Sequence, residues 1–145
     1  RASGGGAPRS GGRMPDEVTV ERLSISPNNC LLDEPITLEM DFTAPRELSN
    51  GMWRMRFIAD TAGARKIVEL GLTDTCHYNA GPCCMRFHVD SVNVAHLKRH
   101  VLSNVGLLTA TLFAGEEEIL QVSMVVQVTP DAAGQLFRSI YNPLE

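Results

Sequence analysis

The chain lacks most features that identify an enzyme, a nucleic-acid-binding protein or a membrane protein from sequence. No apolar run reaches the roughly 18 residues of a membrane-spanning helix. The formal net charge is −4, and no basic patch of the kind that binds nucleic acid is visible. No phosphate-binding loop, dinucleotide fingerprint or Ser/His/Asp signal is present. The sequence therefore favours a non-enzymatic protein-binding domain, with no cofactor and no direct contact with nucleic acid or membrane.

Cysteine is scarce and irregularly placed. The four cysteines are Cys30, Cys76, Cys83 and Cys84. Two of them are adjacent and no regular framework is visible, which argues against a secreted scaffold held by disulfides. We therefore expect reduced thiols and an intracellular protein.

The residues best suited to metal binding or catalysis are Cys76, His77, Cys83, Cys84 and His88. Zinc needs about four such ligands in tetrahedral geometry, and this spacing fits no standard finger or ribbon. A thiol nucleophile needs a base and an orienting group, which the sequence does not supply. The segment is therefore interpreted as a loop packed against the core, in preference to a metal site or a catalytic site.

Helical periodicity is nearly absent, and strand-like alternation takes its place. The longest alternating pair of runs covers 105–113 and 118–128, joined by an acidic turn. In the second run one face carries Leu120, Val122, Met124, Val126 and Val128, and the other carries Ile119, Gln121, Ser123, Val125 and Gln127. Alternation of this kind is typical of a half-buried antiparallel strand. The second face, with Ile119 and Val125 exposed, is therefore available to a partner.

Five further strand-like runs precede this hairpin. They cover 18–26, 36–43, 52–60, 66–73 and 85–90. Short strands at such spacing predict an all-β fold, an immunoglobulin-like antiparallel β-sandwich. The predicted core consists of Leu38, Met40, Phe42, Trp53, Met55, Phe57, Met85, Phe87, Val122, Met124 and Val126. Residues 91–104 are expected to form a short helical crossover between the sheets, and 132–140 a short C-terminal helix.

The predicted organisation has three parts. Residues 1–16 are rich in Gly, Ser, Pro and Arg with little to bury, so we expect a disordered tail without the apolar middle of a signal peptide. Residues 17–130 form the sandwich, and 131–145 form a C-terminal extension. The protein is expected to be a monomer.

Four stretches of the chain resemble the anti-silencing-function family of histone chaperones. They are a first strand followed by a Pro/Asn turn, PITLEMDFT, MWRMRFIADTAG, and VG-x₈-GEEEILQVSMVVQV. The resemblance runs from about Val18 to Val128 and implies an immunoglobulin-like sandwich. It also implies that a histone H3–H4 dimer binds the exposed face of the last hairpin. The residues placed on that face are Leu107, Thr109, Thr111, Gln121, Ser123 and Val125.

The chain departs from this family at several contact positions. Gln121 stands where the family has a key arginine, and Val125 where it has a key tyrosine. The family has an aspartate that contacts the partner near the position of Arg65 or Lys66, so the charge at this position is reversed in this chain. The acidic residues that the family uses to bind partner chaperones read Ser49-Asn50-Gly51-Met52, and the family's further strand after the sandwich is expected to be missing. Because aromatic and arginine anchors dominate interface energies, the fold can be shared while the partner is not.

Two functions follow from these observations. The first is a chaperone-like protein that binds histones H3–H4 in the nucleus. The second is a divergent sandwich that serves as an adaptor or assembly subunit in the cytoplasm or cilium, without histone binding. In both, the partner is a protein recognised by the exposed sheet face or by strand addition at an edge.

Overall fold

The computed structural model describes residues 17–61, 64–102 and 105–144. The predicted tail at 1–16 lies outside the described residues. The elements are β1 (Thr19–Ser26), β2 (Cys30–Leu31), β3 (Ile36–Ala44), β4 (Leu48–Thr61), β5 (Ala64–Leu72), β6 (Cys76–Tyr78), β7 (Gly81–Val89), α1 (Arg99–Leu102), β8 (Val105–Ala114), β9 (Glu117–Pro130) and β10 (Leu136–Ile140). In the described ranges, no helix is both long and apolar enough to cross a membrane.

The strands form two antiparallel sheets that pack as a sandwich, which confirms the predicted all-β fold. The smaller sheet has the order β1-β3-β7. The larger has the order β2-β10-β9-β8-β4-β5, with β6 paired to the start of β4. The crossover from β7 to β8 joins the two sheets and contains α1, with Val94 and Val101 buried. The predicted short helical crossover is therefore confirmed.

The core lies between the inward faces of the two sheets. Phe42 of β3 contacts the ring of Trp53 edge-to-face at a centroid distance of 5.4 Å and that of Tyr78 at 5.1 Å. Alternation along β3 places its apolar side chains inward and its polar ones outward. Every predicted core residue is buried except Val122, which is partly buried against the core. Burial of this apolar surface is the main source of the stability of the sandwich.

β4 begins earlier than the predicted start at 52. Leu48 and Gly51 pair with the short strand β6, opposite Tyr78 and Cys76. Gly51 is required there because a Cβ at this position would lie 2.5 Å from the ring of Tyr78. The segment that stands in for the family's acidic residues is therefore part of a strand rather than a loop.

The prediction of a C-terminal helix is wrong. Residues Leu136–Ile140 form β10, which pairs antiparallel with β9, so the larger sheet continues beyond residue 130. The expectation that no further strand follows the hairpin is wrong for the same reason. β10 alternates, with Arg138 and Ile140 buried and Phe137 and Ser139 partly buried. A buried arginine in the middle of this short strand hides the apolar alternation that would have identified it.

The far edge of β10 is occupied by the chain itself. Phe137 and Arg138 pair with the two residues of β2. Beyond β2, the side chain of Asn28 continues the pairing: its Nδ2 donates to the carbonyl of Ile140 at 2.8 Å, and its Oδ1 accepts from the amide of Ile140 at 2.9 Å. This amide group occupies the backbone donor and acceptor that an added strand would use.

Candidate functional site

The six residues that the sequence places on the partner-binding face come together on the outer face of the β8–β9 hairpin. They form three directly opposed cross-strand pairs. The pairs are Leu107 with Val125, Thr109 with Ser123, and Thr111 with Gln121. The predicted placement of these six residues on one face of the hairpin is thus the placement that the structure has.

These six residues differ in accessibility. Val125 is 42% exposed, whereas Thr109 is 2% and Thr111 is 6% exposed. The hydroxyl of Thr111 donates to Oε1 of Gln121 at 3.3 Å, and Nε2 of Gln121 donates to Oγ of Ser123 at 3.5 Å. The two threonine side chains are therefore covered by their neighbours on this face, whereas the outward side chains of β9 are exposed to solvent.

An apolar row crosses the outer face of the larger sheet. It is defined by residues that stand opposite one another in consecutive strands: Ile67 of β5, Ile58 of β4, Leu107 of β8, Val125 of β9, and Tyr141 just after β10. Tyr141 joins the row because its amide donates to the carbonyl of Val125 at 2.9 Å. Ile67 and Tyr141, at the two ends of the row, are among the exposed large hydrophobic residues of the described chain.

Three members of this row were not assigned to the partner-binding face from the sequence. The exposure predicted for Ile119 is also wrong. Ile58 and Ile67 have outward alternation in their own strands, but only the pairing of β4 with β8 aligns them with Leu107. Tyr141 was expected in an extension outside the sandwich. Ile119, expected to be exposed, is half-buried and packs against the core, because the register shifts at this point of the hairpin.

The row next to the apolar row is charged at its positions in β4 and β5, Arg56 and Glu69, and continues with Thr109 and Ser123. Arg54 and Arg56 point outward from β4, and both contact Glu69 of β5. Beyond them, towards the hairpin tip, Arg54 and Glu69 line one wall of a cleft of about 550 Å³, with Met52, Leu72 and Phe113 supplying apolar surface. Along the strands, the outer face therefore passes from an apolar row to a charged row and then to an apolar cleft.

The outer face of the smaller sheet has a different character. Arg22 pairs with Asp41 at 3.1 Å across β1 and β3. His88 accepts or donates at both ring nitrogens, with Nδ1 2.7 Å from the hydroxyl of Thr37 and Nε2 3.0 Å from a carboxylate oxygen of Asp90. The polar groups on this surface are exposed to solvent and paired with neighbouring side chains. The apolar row thus distinguishes the larger sheet as the face suited to protein contact.

The prediction of a loop for the cysteine- and histidine-containing segment is wrong, because Cys76 and His77 lie in β6 and Cys83, Cys84 and His88 lie in β7. These side chains do not assemble into a reactive site. Cys76 and Cys84 are exposed, and Cys83 donates weakly to the carbonyl oxygens of Asn79 and Gly81 at 3.3 and 3.4 Å. Burial raises the pKa of the Cys83 thiol, which disfavours the nucleophilic thiolate. Within the part of the chain that the structure describes, no group of three or more His, Cys, Asp or Glu side chains could hold a metal ion.

We expect the melting temperature to be the same with and without a chelator such as EDTA, and with and without a mild reductant. The reason is that Cys30, Cys76, Cys83 and Cys84 are all unpaired, so neither treatment removes a cross-link or a ligand set. Differential scanning calorimetry of the full chain checks this. A clear drop in the melting temperature with the chelator alone would show that the chain binds a structural metal, since such a metal contributes folding free energy directly.

Comparison of the chain with models of known protein families gives no match. Comparison with characterised proteins gives no significant match either. The outer face of the larger sheet must therefore be interpreted from its own chemistry.

Proposed function

We propose that this protein is a non-enzymatic protein-binding module whose partner docks on the outer face of the larger sheet. The observation that carries the proposal is the apolar row, which crosses four strands and ends at Tyr141 just after β10. Three members of the row, Ile67, Val125 and Tyr141, are exposed, and Ile58 and Leu107 lie between them with little exposure. Large exposed apolar patches on a sheet face mark sites of protein contact. The proposal also takes the sandwich to be of the immunoglobulin-like type, a scaffold that commonly presents such faces.

Two alternative partners are proposed for this face. The resemblance to anti-silencing-function chaperones names histones H3–H4 and a nuclear location, with the hairpin face as the contact. The second line is a non-histone assembly in the cytoplasm or cilium. It is supported by Gln121 and Val125, which replace the arginine and tyrosine anchors of the family, and by the outward arginines of β4.

A single charge on the apolar row is the sharpest test of the proposed face. Val125→Glu places a carboxylate in the row between Leu107 and Tyr141, where a bound partner would bury it unpaired. We expect at least a tenfold loss of partner binding, with the circular dichroism spectrum unchanged. The matched control is Ser24→Glu, which adds the same charge to an exposed position on the outer face of the smaller sheet.

The binding measurement uses purified H3–H4 and, in parallel, affinity capture followed by mass spectrometry with wild type and both variants. Specific capture of H3–H4 that Val125→Glu abolishes supports the chaperone. Specific capture of other proteins with the same dependence supports the adaptor. If Val125→Glu retains every partner that the wild type retains, the outer face is not the site.

A further inference from the structure

A cluster of two arginines and one glutamate beside the apolar row has a positive net charge, whereas the net charge of the whole chain is negative. Arg54 contacts Glu69 through two nitrogens, with Nε 3.3 Å from Oε1 and Nη2 3.1 Å from Oε2. Arg56 contacts the same carboxylate through Nε, 2.9 Å from Oε2. One carboxylate thus serves two guanidinium groups, so this cluster carries one net positive charge. The chain as a whole has a formal net charge of −4.

Two acidic residues are as close to the apolar row as Arg56 is: Glu69 is two residues from Ile67, and Asp60 is two residues from Ile58 and opposite Arg65. The remaining acidic residues of this face, at the hairpin tip, lie farther away. Outward positions in a strand are about 6.6 Å apart along its length. Arg56 is one such step from Ile58, whereas Glu118, at the hairpin tip, is three steps or about 20 Å from Val125. Interactions over that distance are largely screened, because the Debye length is about 8 Å at physiological ionic strength. Within two outward steps of Ile58 and Ile67 the strands carry three arginines (Arg54, Arg56 and Arg65) and two carboxylates (Glu69 and Asp60), so a partner on the apolar row meets a formal net charge of +1.

The end of the row formed by β5 has the same sign. Arg65 and Lys66 are exposed, and Arg65 has the outward alternation of Ile67, whereas Lys66 is opposite the inward-facing Ala59. Between Gln121 and Gln127, β9 contains no charged residue. The outward positions of β9 therefore neither add to nor oppose the cationic character that β4 and β5 provide.

The partner binds the face rather than extending the sheet beside Tyr141. The backbone of Ile140, the residue before Tyr141, is already paired with the side chain of Asn28. The apolar row crosses four strand spacings of about 4.8 Å, or about 19 Å in all, which is the length of about 13 residues of α-helix. One amphipathic helix laid across the strands would cover the row.

We propose that the outer face binds an acidic amphipathic segment of a partner protein. Its apolar side chains would contact Leu107, Val125 and Tyr141, and its carboxylates would bind Arg54 and Arg56. Arg56 contacts Glu69 through Nε, and a guanidinium has four further N–H donors on its terminal nitrogens, enough for a second carboxylate. A strongly basic partner would place like charges against these arginines, which opposes binding. This inference rests on the proposed function, because it requires the same face to be the docking site.

The test uses two synthetic helical peptides of about 14 residues, a length sufficient to span the row. Both carry the same stripe of leucines; one has glutamates beside the stripe and the other has lysines. Binding to the full chain is measured by fluorescence anisotropy at two salt concentrations. We expect the acidic peptide to bind at least tenfold more tightly than the basic one. The preference should shrink at high salt, because the interaction is electrostatic.

Three variants locate the effect. In the double variant Arg54→Gln, Arg56→Gln, the preference for the acidic peptide should disappear while leucine-dependent binding of both peptides remains. The matched control, Arg22→Gln with Arg86→Gln, removes two arginines from the outer face of the smaller sheet and should leave the preference intact. Val125→Glu should abolish binding of both peptides. Melting temperatures establish that each variant is folded.

The outcomes separate this inference from the proposed function. If the basic peptide or purified H3–H4 binds as tightly as the acidic peptide, and Val125→Glu abolishes that binding, the acidic partner is overturned and the face remains the docking site. An acidic preference that survives removal of Arg54 and Arg56 also overturns the inference. If neither peptide nor H3–H4 binds, or if Val125→Glu changes nothing, both proposals fail together.

Discussion

Replacing Arg138 with methionine is expected to lower the free energy of unfolding by about 1–3 kcal/mol, the cost of leaving a buried acceptor without its hydrogen-bond partner. Arg138 is 1% exposed. Its guanidinium donates to the carbonyl oxygens of Leu32, Glu34, Pro27 and Pro35 at 2.5–3.2 Å. Methionine is similar in length but has no donor, so these oxygens would lose their partners away from water.

The charge of Arg138 is part of this effect. Burial lowers the pKa of Arg138, but an arginine stays protonated at neutral pH. The carbonyl oxygens of the segment from Pro27 to Pro35 therefore stabilise a buried cation and fix that segment against β10. Lysine would keep the charge but supplies three donors from one atom instead of a planar fork. We expect Arg138→Lys to fall between wild type and Arg138→Met.

The control for Arg138 is Arg22→Met. Arg22 lies on the surface and pairs with Asp41, and exposed ion pairs contribute about 0–1 kcal/mol. Urea unfolding of both variants, followed by tryptophan fluorescence from Trp53, measures the two losses. Equal, small losses at both positions would mean that the four carbonyl contacts of Arg138 do not contribute to stability.

Replacing Met124 with alanine is expected to cost about 2–5 kcal/mol, as for other large-to-small substitutions in a close-packed core. Met124 is fully buried between the sheets, and the methyl group of alanine would leave a cavity. Val125, its neighbour in β9, points to the outer face, so Val125→Ala is expected to cost less than about 1 kcal/mol. The same unfolding assay checks both variants, and comparable losses would mean that the inward and outward faces of β9 are wrongly assigned.

The hairpin could be predicted from sequence because its pattern is local. Period-two alternation over a long run states which side chains face inward. The six predicted face residues therefore share one face, whereas their exact pairing depends on the register shift between Leu112 and Phe113, which the sequence pattern does not show. What alternation does not state is how deeply each outward side chain is covered, and so the burial of Thr109 and Thr111 came only from the structure.

The rest of the site depends on contacts between distant parts of the chain. Ile58 and Ile67 belong to the apolar row only because β4 pairs with β8 on one side and β5 on the other. Strands as short as β2 and β6 have too few residues to show a period. β10 was missed because Arg138 occupies a core position, where sequence patterns require an apolar residue. Arg138 donates hydrogen bonds to carbonyl oxygens of the segment after β1, and only the folded structure shows these contacts.

The paired side chain of Asn28 also governs how copies of this protein could associate through the larger sheet. A sheet that grows into a fibre must be able to add a strand at both of its edges. Beyond Arg138, the backbone of β10 is already engaged by Asn28, while β5 at the opposite edge pairs only with β4 among the described strands. Two copies joined through their β5 edges would therefore leave only the two-residue strand β2 at each end of the joined sheet. Association of this kind favours a pair over a filament.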